Sequence, residues 1–506
     1  MATVLSLPAE RRQHAPGPAA GRDTALVLGC AALAVLLLGY HPAAEDGGIY
    51  AAAAALRLQP GLFPAEHGFA VAQGGRSLFV PLLALLTRLL HLPLGPVLFG
   101  CYVLSTAATV AAARVLVRVV LLPEGMQRGA LLLFAVSLGL PVAGTSLYLA
   151  DPYLTGRSLA TPLLLLALAA AVQRRSGRAA VCVALTFAVH PIMALCAVPL
   201  FAALFACRSV QRTRAVLLFS VGVALTMLVL LWLGPAETAA ARAASMTRAY
   251  WFPARWAWYE WLGAVAPPTL LLLLLLQRSL AGVLTAGGRD LLRAASLSTA
   301  VVLTGTLCLV HEGSRSLLLA RLQPLRLLHP VYCVFLLALG AWLAADRMRV
   351  ISLAPVAIAA GSLLLMQRAL YGFSDHLELP GRAPRSGYAQ AFLWVRDHTP
   401  PDALFALDAD YTRAPGEDAQ LFRAVALRSS LPDAAKDGGI ASMMPVLAPE
   451  WLRASEAQQG LAAMTDAERV RRVRPLGVTW IVLPAASTTG FDCPYRNAVA
   501  QVCKLP

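Results

Sequence analysis

The chain has 506 residues, of which 58% are hydrophobic and 14% are charged, and its mean hydropathy is +0.65. About 25% of the residues of a soluble globular protein are charged, so the composition excludes an ordinary soluble domain, and repeated apolar runs of about 17–25 residues indicate a polytopic α-helical membrane protein. The formal charge of +15 does not indicate nucleic-acid binding, because the arginines fall in short clusters between the apolar runs, which is the positive-inside pattern.

About eleven spanning segments are predicted in chain order. They lie near residues 24–40, 95–120, 129–150, 157–173, 179–190, 192–207, 215–233, 262–278, 294–311, 325–345 and 349–367. Residues 1–23 are polar and are expected to form a cytoplasmic tail in front of an uncleaved first helix. Residues 24–367 therefore form a transmembrane domain, with the N-terminus in the cytoplasm and the C-terminus outside.

The fifth and sixth segments are short and meet at His190-Pro191, so a single long helix is an alternative that would invert every later segment. The count of eleven is favoured because each loop that it places in the cytoplasm is rich in arginine. These arginines are Arg114, Arg118, Arg128, Arg174, Arg175, Arg178, Arg208, Arg212, Arg214, Arg278, Arg289, Arg293, Arg347 and Arg349.

The first outer loop, residues 41–94, is long and opens with the paired acids Glu45 and Asp46. An alanine-rich stretch follows the acids and is predicted to form a short helix that ends at Pro60-Gly61. The apolar stretch 78–95 is interrupted by charged residues and prolines. We expect it to form a helix that lies on or dips into the outer membrane surface, with a true span as the alternative.

Residues 370–506 are predicted to be extracytoplasmic, with an α/β domain of about 120 residues that starts near residue 385. The stretches "ALFALD" (403–408) and "VTWIVLP" (478–484) have the β-branched and aromatic content of buried strands. Helical stretches near 386–398 and 464–474 alternate with them. Five polar residues of this domain are expected to be solvated rather than to face the membrane site: Arg423, Arg428, Asp433, Lys436 and Asp437.

The cysteines fall into two groups. Seven of the nine lie in or beside apolar runs and are expected to be small buried apolar residues. Cys493 and Cys503 stand apart in the C-terminal region. They are candidates for a disulfide if that region is extracytoplasmic.

Four residues at the predicted outer face are candidates for catalysis, or for positioning an acceptor or a metal: Glu45, Asp46, Asp151 and His190. A carboxylate at this face can take a proton from an acceptor hydroxyl. The same four residues are also candidate ligands for a divalent metal ion. Structural roles also stay open, because acids at a helix end can simply be solvated. Asp151 can cap the helix that follows it, and His190 can be a packed turn residue.

Arginines at the same face indicate an anionic ligand. Arg315, Arg321 and Arg326 lie at an outer loop, against the positive-inside tendency, and Arg157 follows Asp151 there. Guanidinium groups match phosphate oxygens, so these four residues are predicted to bind a lipid-linked phosphate or pyrophosphate. A carboxylate for the acceptor and arginines for the leaving phosphate together indicate glycosyl transfer.

This layout resembles the GT-C superfamily of integral membrane glycosyltransferases, such as the protein O-mannosyltransferases and the aminoarabinose transferase of lipid A. The shared features are a long first external loop with an acidic motif and surface helices, an acid between spans three and four, and a C-terminal external domain. The resemblance implies that Asp46 is the catalytic carboxylate, with Glu45 as its neighbour or substitute, and that Asp151 is the second acid. His190-Pro191 stands where related enzymes often have Lys-Gly-Pro, so that lysine is missing here.

The resemblance implies a membrane glycosyltransferase that moves a sugar from a polyprenyl-phosphate-linked donor to a lipid, glycan or protein acceptor. It implies action at the outer face of the bacterial inner membrane, with membrane lipids but no nucleic acid as further partners. A non-catalytic GT-C-like envelope scaffold is one alternative. A lipid or sugar transporter is the other, although a transporter usually carries charges near the bilayer midplane and the predicted spans are almost free of them.

Overall fold

The computed structural model of the chain describes residues 18–65, 68–345, 349–413 and 420–506. Helices form nearly all of the regular structure before residue 371. Their bounds are α1 (Pro18–Leu38), α2 (Glu45–Leu58), α3 (Gly68–Gly74), α4 (Phe79–Leu90), α5 (Leu94–Val120), α6 (Glu124–Val136), α7 (Gly156–Val172), α8 (Ser176–Val189), α9 (Pro191–Arg208), α10 (Arg212–Leu233), α11 (Ala239–Met246), α12 (Trp258–Leu276), α13 (Arg278–Ala281), α14 (Ala286–Leu309), α15 (Leu318–Leu322), α16 (Leu328–Leu343) and α17 (Arg349–Leu370). The cytoplasmic tail expected at 1–23 lies mostly outside the described residues, as does Arg347.

Eight helical segments of the described chain are long and apolar enough to cross a membrane, or up to nine if one bent pair counts as a span. Each of the eight coincides with a predicted span, so the chain is a multi-pass membrane protein. The three remaining predictions, at 129–150, 157–173 and 179–190, correspond to the shorter helices α6, α7 and α8, of 13, 17 and 14 residues. The count of eleven is therefore not confirmed.

The segment 129–150 was predicted as one span but changes direction halfway. Helix α6 ends at Val136, and the chain then forms a hairpin of two short antiparallel strands, β1 (Pro141–Val142) and β2 (Leu147–Tyr148). Gly144 turns this hairpin with a φ of +65°, and a Cβ there would lie 2.3 Å from the Trp256 ring. Glycine is needed because both the positive φ and the close ring exclude a side chain.

Most of the long helices share one apolar core with α16 at its centre. Leu328, Val331 and Ala341 of α16 are at most 1% exposed, whereas α10 and α17 are mostly exposed along their apolar windows. An apolar helix surface that no protein covers is what lipid contact requires. The chain breaks between α8 and α9 at His190, whose backbone is not helical, so the alternative of one long helix through this turn is excluded.

Helices α3 and α4 meet at an angle of 88° and pass the length and hydropathy criteria for a span only as a bent pair. Helix α4 lies within the stretch 78–95, which was expected to lie on the membrane surface. A bend of this size is compatible with a helix on the membrane surface, with a re-entrant segment and with a broken span. The position of α4 at the membrane surface therefore stays a prediction.

Residues after 385 form a mixed five-stranded sheet with helices. The elements are α18 (Gly387–His398), β3 (Leu404–Ala406), α19 (Phe422–Ala426), β4 (Ser429–Ser430), α20 (Lys436–Met443), α21 (Ala448–Gln458), α22 (Asp466–Val473), β5 (Trp480–Pro484), β6 (Asp492–Arg496) and β7 (Ala500–Lys504). The strand order is β4-β3-β5-β7-β6, parallel on the β4-β3-β5 side and antiparallel from β5 onward. The predicted strands β3 and β5 and helices α18 and α22 are confirmed, and Cys493 and Cys503 are joined in a disulfide across β6 and β7.

The C-terminal domain packs directly on the start of α2. Gln420 bridges Ala44, and a Cβ at Gly48 would lie 2.7 Å from Cβ of Leu421. A Cβ at Gly47 would lie 2.7 Å from Cβ of Tyr153 on the other side. The glycine pair thus opens a helix and lets its first turn approach two protein segments, which places α20 beside the paired acids.

Candidate active site

The paired acids lie in the first turn of α2 and share one lysine. Glu45 starts the helix with a φ of 49°, a left-handed conformation that is uncommon for a residue other than glycine. Nζ of Lys436, the first residue of α20, lies 3.2 Å from Oδ1 of Asp46 and also contacts Oε2 of Glu45. The acids are thus neither simply solvated nor free, because a cation from the C-terminal domain holds them together.

Arg157 connects the two acids that the sequence singled out. Its NH1 lies 3.0 Å from Oδ2 of Asp46, and its NH2 lies 2.8 Å from Oδ2 of Asp151. Asp151 also accepts a hydrogen bond from the Thr155 hydroxyl at 3.4 Å. The N-cap of α7 is Thr155, so Asp151 does not cap this helix and instead orients the guanidinium that faces Asp46.

The two aspartates have opposite electrostatic environments. Burial favours the protonated form of Asp46, but the charges of Lys436 and Arg157 outweigh it and hold the pKa of Asp46 well below its usual range. Burial raises the pKa of Asp151 above its usual value, with Arg157 opposing the shift. Burial likewise lowers the pKa of Lys436, but the acids Asp46 and Glu45 raise it by more. Asp46 is therefore an ionised carboxylate across the physiological range.

Asp46 borders a cavity of about 670 Å³, within the usual size range of small-ligand sites. Every outer loop that the sequence predicts contributes to the lining of this cavity, together with the β1–β2 hairpin and α20. Its polar and charged lining residues are Glu45, Asp46, Tyr50, Gln73, Arg76, Ser77, Ser146, Tyr148, Tyr153, Arg157, His190, Arg248, Tyr250, Gln323, Arg326, Tyr371 and Lys436. Five cationic side chains thus face two carboxylates, which favours an anionic ligand.

The structure places the three arginines predicted at an outer loop in different environments. Arg326 lines the cavity, and no carboxylate of the described residues pairs with it; its Nε is buried without a hydrogen-bond partner there. Arg315 is exposed and does not line the cavity. A buried guanidinium without a partner is costly, so Arg326 is the one of the three that is placed to receive an anion.

Arg321 is engaged elsewhere. Its NH2 lies 2.9 Å from Oε2 of Glu237, and the exposures of the two side chains are 9% and 2%. Its Nε donates to the backbone oxygen of Ser442 at 2.7 Å. This pair joins α15 to the loop before α11 and to the end of α20, and it leaves the Arg321 guanidinium outside the cavity.

We expect Arg321→Gln to destabilise the protein without weakening donor binding. Loss of one partner of a buried ion pair costs about 3–5 kcal/mol, because Glu237 would keep a buried, uncompensated charge. The measurement is the thermal unfolding midpoint beside the KM for the donor. The double variant Arg321→Leu/Glu237→Leu should recover much of the lost stability, and a raised donor KM in Arg321→Gln with unchanged stability would contradict this assignment.

His190 performs the structural role and also faces the cavity. It is the N-cap of α9, and its Nδ1 accepts a hydrogen bond from the Met193 backbone N–H at 3.3 Å. Burial, together with the nearby charges of Arg326 and Arg157, lowers the pKa of His190. The imidazole is therefore neutral, and its hydrogen is on Nε2 because Nδ1 accepts the Met193 N–H.

Lys436, Arg76 and Arg248 line the cavity but were not among the predicted site residues. The reading of Lys436 as a solvated surface residue is wrong. The sequence did offer one clue to Lys436, because lysine is rare here: Lys436 and Lys504 are the only lysines of the chain. Arg76 and Arg248 lie in predicted outer loops, against the positive-inside tendency. The argument that selected Arg326 as an anion-binding residue therefore applied equally to these two arginines.

The acids do not form a metal site within the described residues. No three His, Cys, Asp or Glu side chains there are grouped as a metal ion requires. Both oxygens of Asp46 carry ion pairs, and Asp151 faces Arg157 and Thr155. The set of Glu45, Asp46, Asp151 and His190 therefore does not fit a divalent cation in this arrangement, because both oxygens of Asp46 and Oδ2 of Asp151 already face cationic side chains.

No family model and no curated protein matches the chain. Solved structures with a similar course are those of an Archaeoglobus fulgidus oligosaccharyltransferase. One is a complex with Zn and sulfate (12% identity, 91% of this chain and 68% of that chain, TM-score 0.44). Another is archaeal AglB with an inhibitory peptide and a dolichol-phosphate (13%, 91% and 69%, 0.42), and a third is the apo form (11%, 91% and 69%, 0.45).

These oligosaccharyltransferases are enzymes of the GT-C superfamily, which the sequence layout also resembles. The TM-scores lie below 0.5 and the identities below 25%. Similarity at this level carries no argument about activity, so the function of this chain has to be argued from its own site.

Proposed function

We propose that this protein is a membrane glycosyltransferase that moves a sugar from a polyprenyl-phosphate-linked donor to a lipid, glycan or protein acceptor. The observation that carries the proposal is the cavity itself. One ionised aspartate, Asp46, borders a space of about 670 Å³ whose other charged lining is Glu45 and five cationic side chains. A phosphate-linked sugar brings the negative charge that such a lining lacks.

Each part of the cavity has a task in this reaction. The bond between the anomeric carbon and the donor phosphate oxygen breaks while the acceptor oxygen bonds to that carbon. Asp46 accepts a hydrogen bond from the acceptor and takes its proton late, because its low pKa makes it a weak base until the acceptor oxygen has become acidic. Arg326 and Arg76 stabilise the charge that develops on the leaving phosphate, and the tyrosine hydroxyls can hydrogen-bond the sugar.

The position of the site supports action at the outer face of the bacterial inner membrane. Loops predicted on the outer side by the arginine pattern contribute Asp46, Arg157, His190 and Arg326 to one cavity. The disulfide between Cys493 and Cys503 is typical of an oxidising compartment. Both features favour an extracytoplasmic C-terminal domain and a donor that is presented on that side.

Arg326→Gln tests the proposed donor site. We expect the donor KM to rise about 10- to 100-fold, since hydrogen bonds to a charged group contribute about 1.5–3 kcal/mol. Folding should be unaffected or improved, because the buried Nε of Arg326 has no partner in the described residues. The measurement is sugar transfer from a synthetic polyprenyl-phosphate sugar, with direct binding of the polyprenyl phosphate as a second readout.

Arg315→Gln is the matched control, because Arg315 lies in the same predicted cluster but is exposed and does not line the cavity. Its donor KM should equal that of the unmodified protein. Equal effects of the two substitutions would show that only the net charge of this face matters, and the assigned donor site would then be wrong.

A non-catalytic scaffold is the second candidate, and one observation favours it. Both carboxylate oxygens of Asp46 lie in ion pairs, as expected for a residue whose purpose is to fasten two domains. A scaffold needs these ion pairs for stability but does not need the cavity, whereas a transferase needs the charge of Asp46 itself. Substitution of Asp46 therefore separates the two.

A further inference from the structure

Helix α20 of the C-terminal domain forms one wall of the cavity. Lys436, Gly439, Ile440 and Met443 line it, and Lys436 reaches both paired acids although 390 positions separate it from Asp46. The Lys436 side chain is 19% exposed. A lysine this well covered is held by its surroundings, unlike a mobile surface lysine.

The start of α20 is fixed by a buried polar cluster. The backbone N–H of Lys436 donates to Oδ1 of Asp433 at 2.6 Å, and the N–H of Asp433 donates to Oδ2 of Asp437 at 2.9 Å. Asp437, which is 2% exposed, forms a two-point ion pair with Arg423. These bonds define where the Lys436 backbone lies and thus direct its side chain to the acids.

The acid pair needs a cation for an electrostatic reason. Two adjacent carboxylates would repel the phosphate of an anionic donor in the same cavity. A divalent metal or a fixed cationic side chain can cancel that charge. Here Nζ of Lys436 contacts one oxygen of each acid, and Arg157 holds the second oxygen of Asp46, which leaves no free pair of oxygens for a metal.

We infer that the Lys436 ammonium is the permanent counter-ion of the Glu45–Asp46 pair and takes the place of a divalent cation, so that the C-terminal domain completes the site and transfer requires no metal. This inference rests on the proposed function where it concerns transfer. The residue type fits the role, because lysine presents a compact ammonium with three donors. Only two of the 42 Lys and Arg residues are lysine, and one of them stands here.

The test uses the full-length protein in lipid nanodiscs and follows Mn²⁺ binding by electron paramagnetic resonance, together with turnover before and after treatment with EDTA. Lys436→Ala and Lys436→Met remove the ammonium, and Lys436→Arg keeps a positive charge. Lys504→Ala is the matched control, because Lys504 is the other lysine and is exposed. The methionine variant keeps most of the side-chain volume in case the alanine variant does not fold.

We expect the unmodified protein and Lys504→Ala to bind no Mn²⁺ at the acid pair and to keep full turnover in EDTA. Lys436→Ala and Lys436→Met should lose turnover about tenfold or more, and Lys436→Arg should retain more of it than either. Added Mn²⁺ should bind the two neutral variants and restore part of their turnover. Rescue of turnover by added Mn²⁺, with an unfolding midpoint that the metal leaves unchanged, would not occur if Lys436 only stabilised the fold.

Two results would overturn the inference: Mn²⁺ binding by the unmodified protein that Asp46→Asn abolishes, or turnover in the Lys436 variants equal to that of the unmodified protein. The proposed function can fail separately. If no sugar donor supports turnover, the transferase assignment is lost, but the Mn²⁺ titrations of the unmodified protein and of the neutral Lys436 variants still decide whether Lys436 excludes a metal.

Discussion

Asp46→Asn should lower turnover by about 10²- to 10⁴-fold, the usual loss when a positioned acid–base group is removed. Asparagine keeps the shape of the side chain but has neither the charge nor the basicity to take the acceptor proton. Stability should change little, because Arg157 keeps its ion pair with Asp151 and Lys436 keeps its contact with Glu45. The measurement is turnover at saturating donor and acceptor, beside the thermal unfolding midpoint.

Glu45→Gln is the control for the charge of the pair. The Glu45 side chain is 43% exposed and its only ion pair in the described chain is with Lys436, so its loss should reduce turnover far less than the loss of Asp46. Comparable losses of turnover in Glu45→Gln and Asp46→Asn would mean that turnover depends on the net charge of the acid pair rather than on Asp46 itself. Full turnover in Asp46→Asn would show that Asp46 is not the catalytic base, whereas loss of stability in this variant, with no transfer by the unmodified protein, would favour the scaffold.

The fold was predictable where hydropathy alone determines it. Eight segments are long and apolar enough to span a membrane, and all eight were found from the sequence. The prediction failed at 129–150, where the apolar content continues but Gly139, Pro141 and Gly144 let the chain turn back. Whether such residues bend the chain or lie in a helix depends on tertiary packing, here against Trp256. A hydropathy pattern contains no information about that packing.

The candidate site was predictable in part, for a topological reason. Alternating spans return the chain to the same face, so loops far apart in sequence were expected to meet there, and Asp46, Arg157, His190 and Arg326 line one cavity. Their chemical roles remain proposals. The sequence could not distinguish Arg321 from Arg326, five positions apart, because the partner that removes Arg321 from the cavity is Glu237 of a different loop.

Lys436 was missed because its position depends on how two domains dock. A lysine at the start of a short polar helix is usually solvated, and nothing nearby in the sequence shows that α20 packs against α2. The glycines at 47 and 48 were the available clue, since two adjacent glycines after an acid pair permit a close approach. The structure shows that the approaching segments are Tyr153 and Leu421 of the chain itself.

Arg157→Met should destabilise the protein more than any other single substitution at the site, by about 3–5 kcal/mol. The side chains of Arg157 and Asp151 are 8% and 4% exposed, so the substitution leaves Asp151 with a buried charge whose one remaining side-chain hydrogen bond within the described residues is with the Thr155 hydroxyl. The raised pKa of Asp151 fits this cost, because burial already disfavours its charged form while Arg157 is present. The measurement is the free energy of unfolding in detergent.

A double-mutant cycle with Asp151→Asn distinguishes the ion pair from simple loss of volume. If the cost comes from the uncompensated carboxylate, Arg157→Met/Asp151→Asn will be more stable than Arg157→Met alone. The exposed pair of Arg128 and Glu124, with side-chain exposures of 59% and 72%, is the control, and Arg128→Met should cost at most about 0.5 kcal/mol. Because Arg157 also holds Asp46, the stability rescued in the double variant should not restore turnover, since the second cation beside Asp46 is still missing. Recovery of both together would mean that Arg157 acts only through the fold.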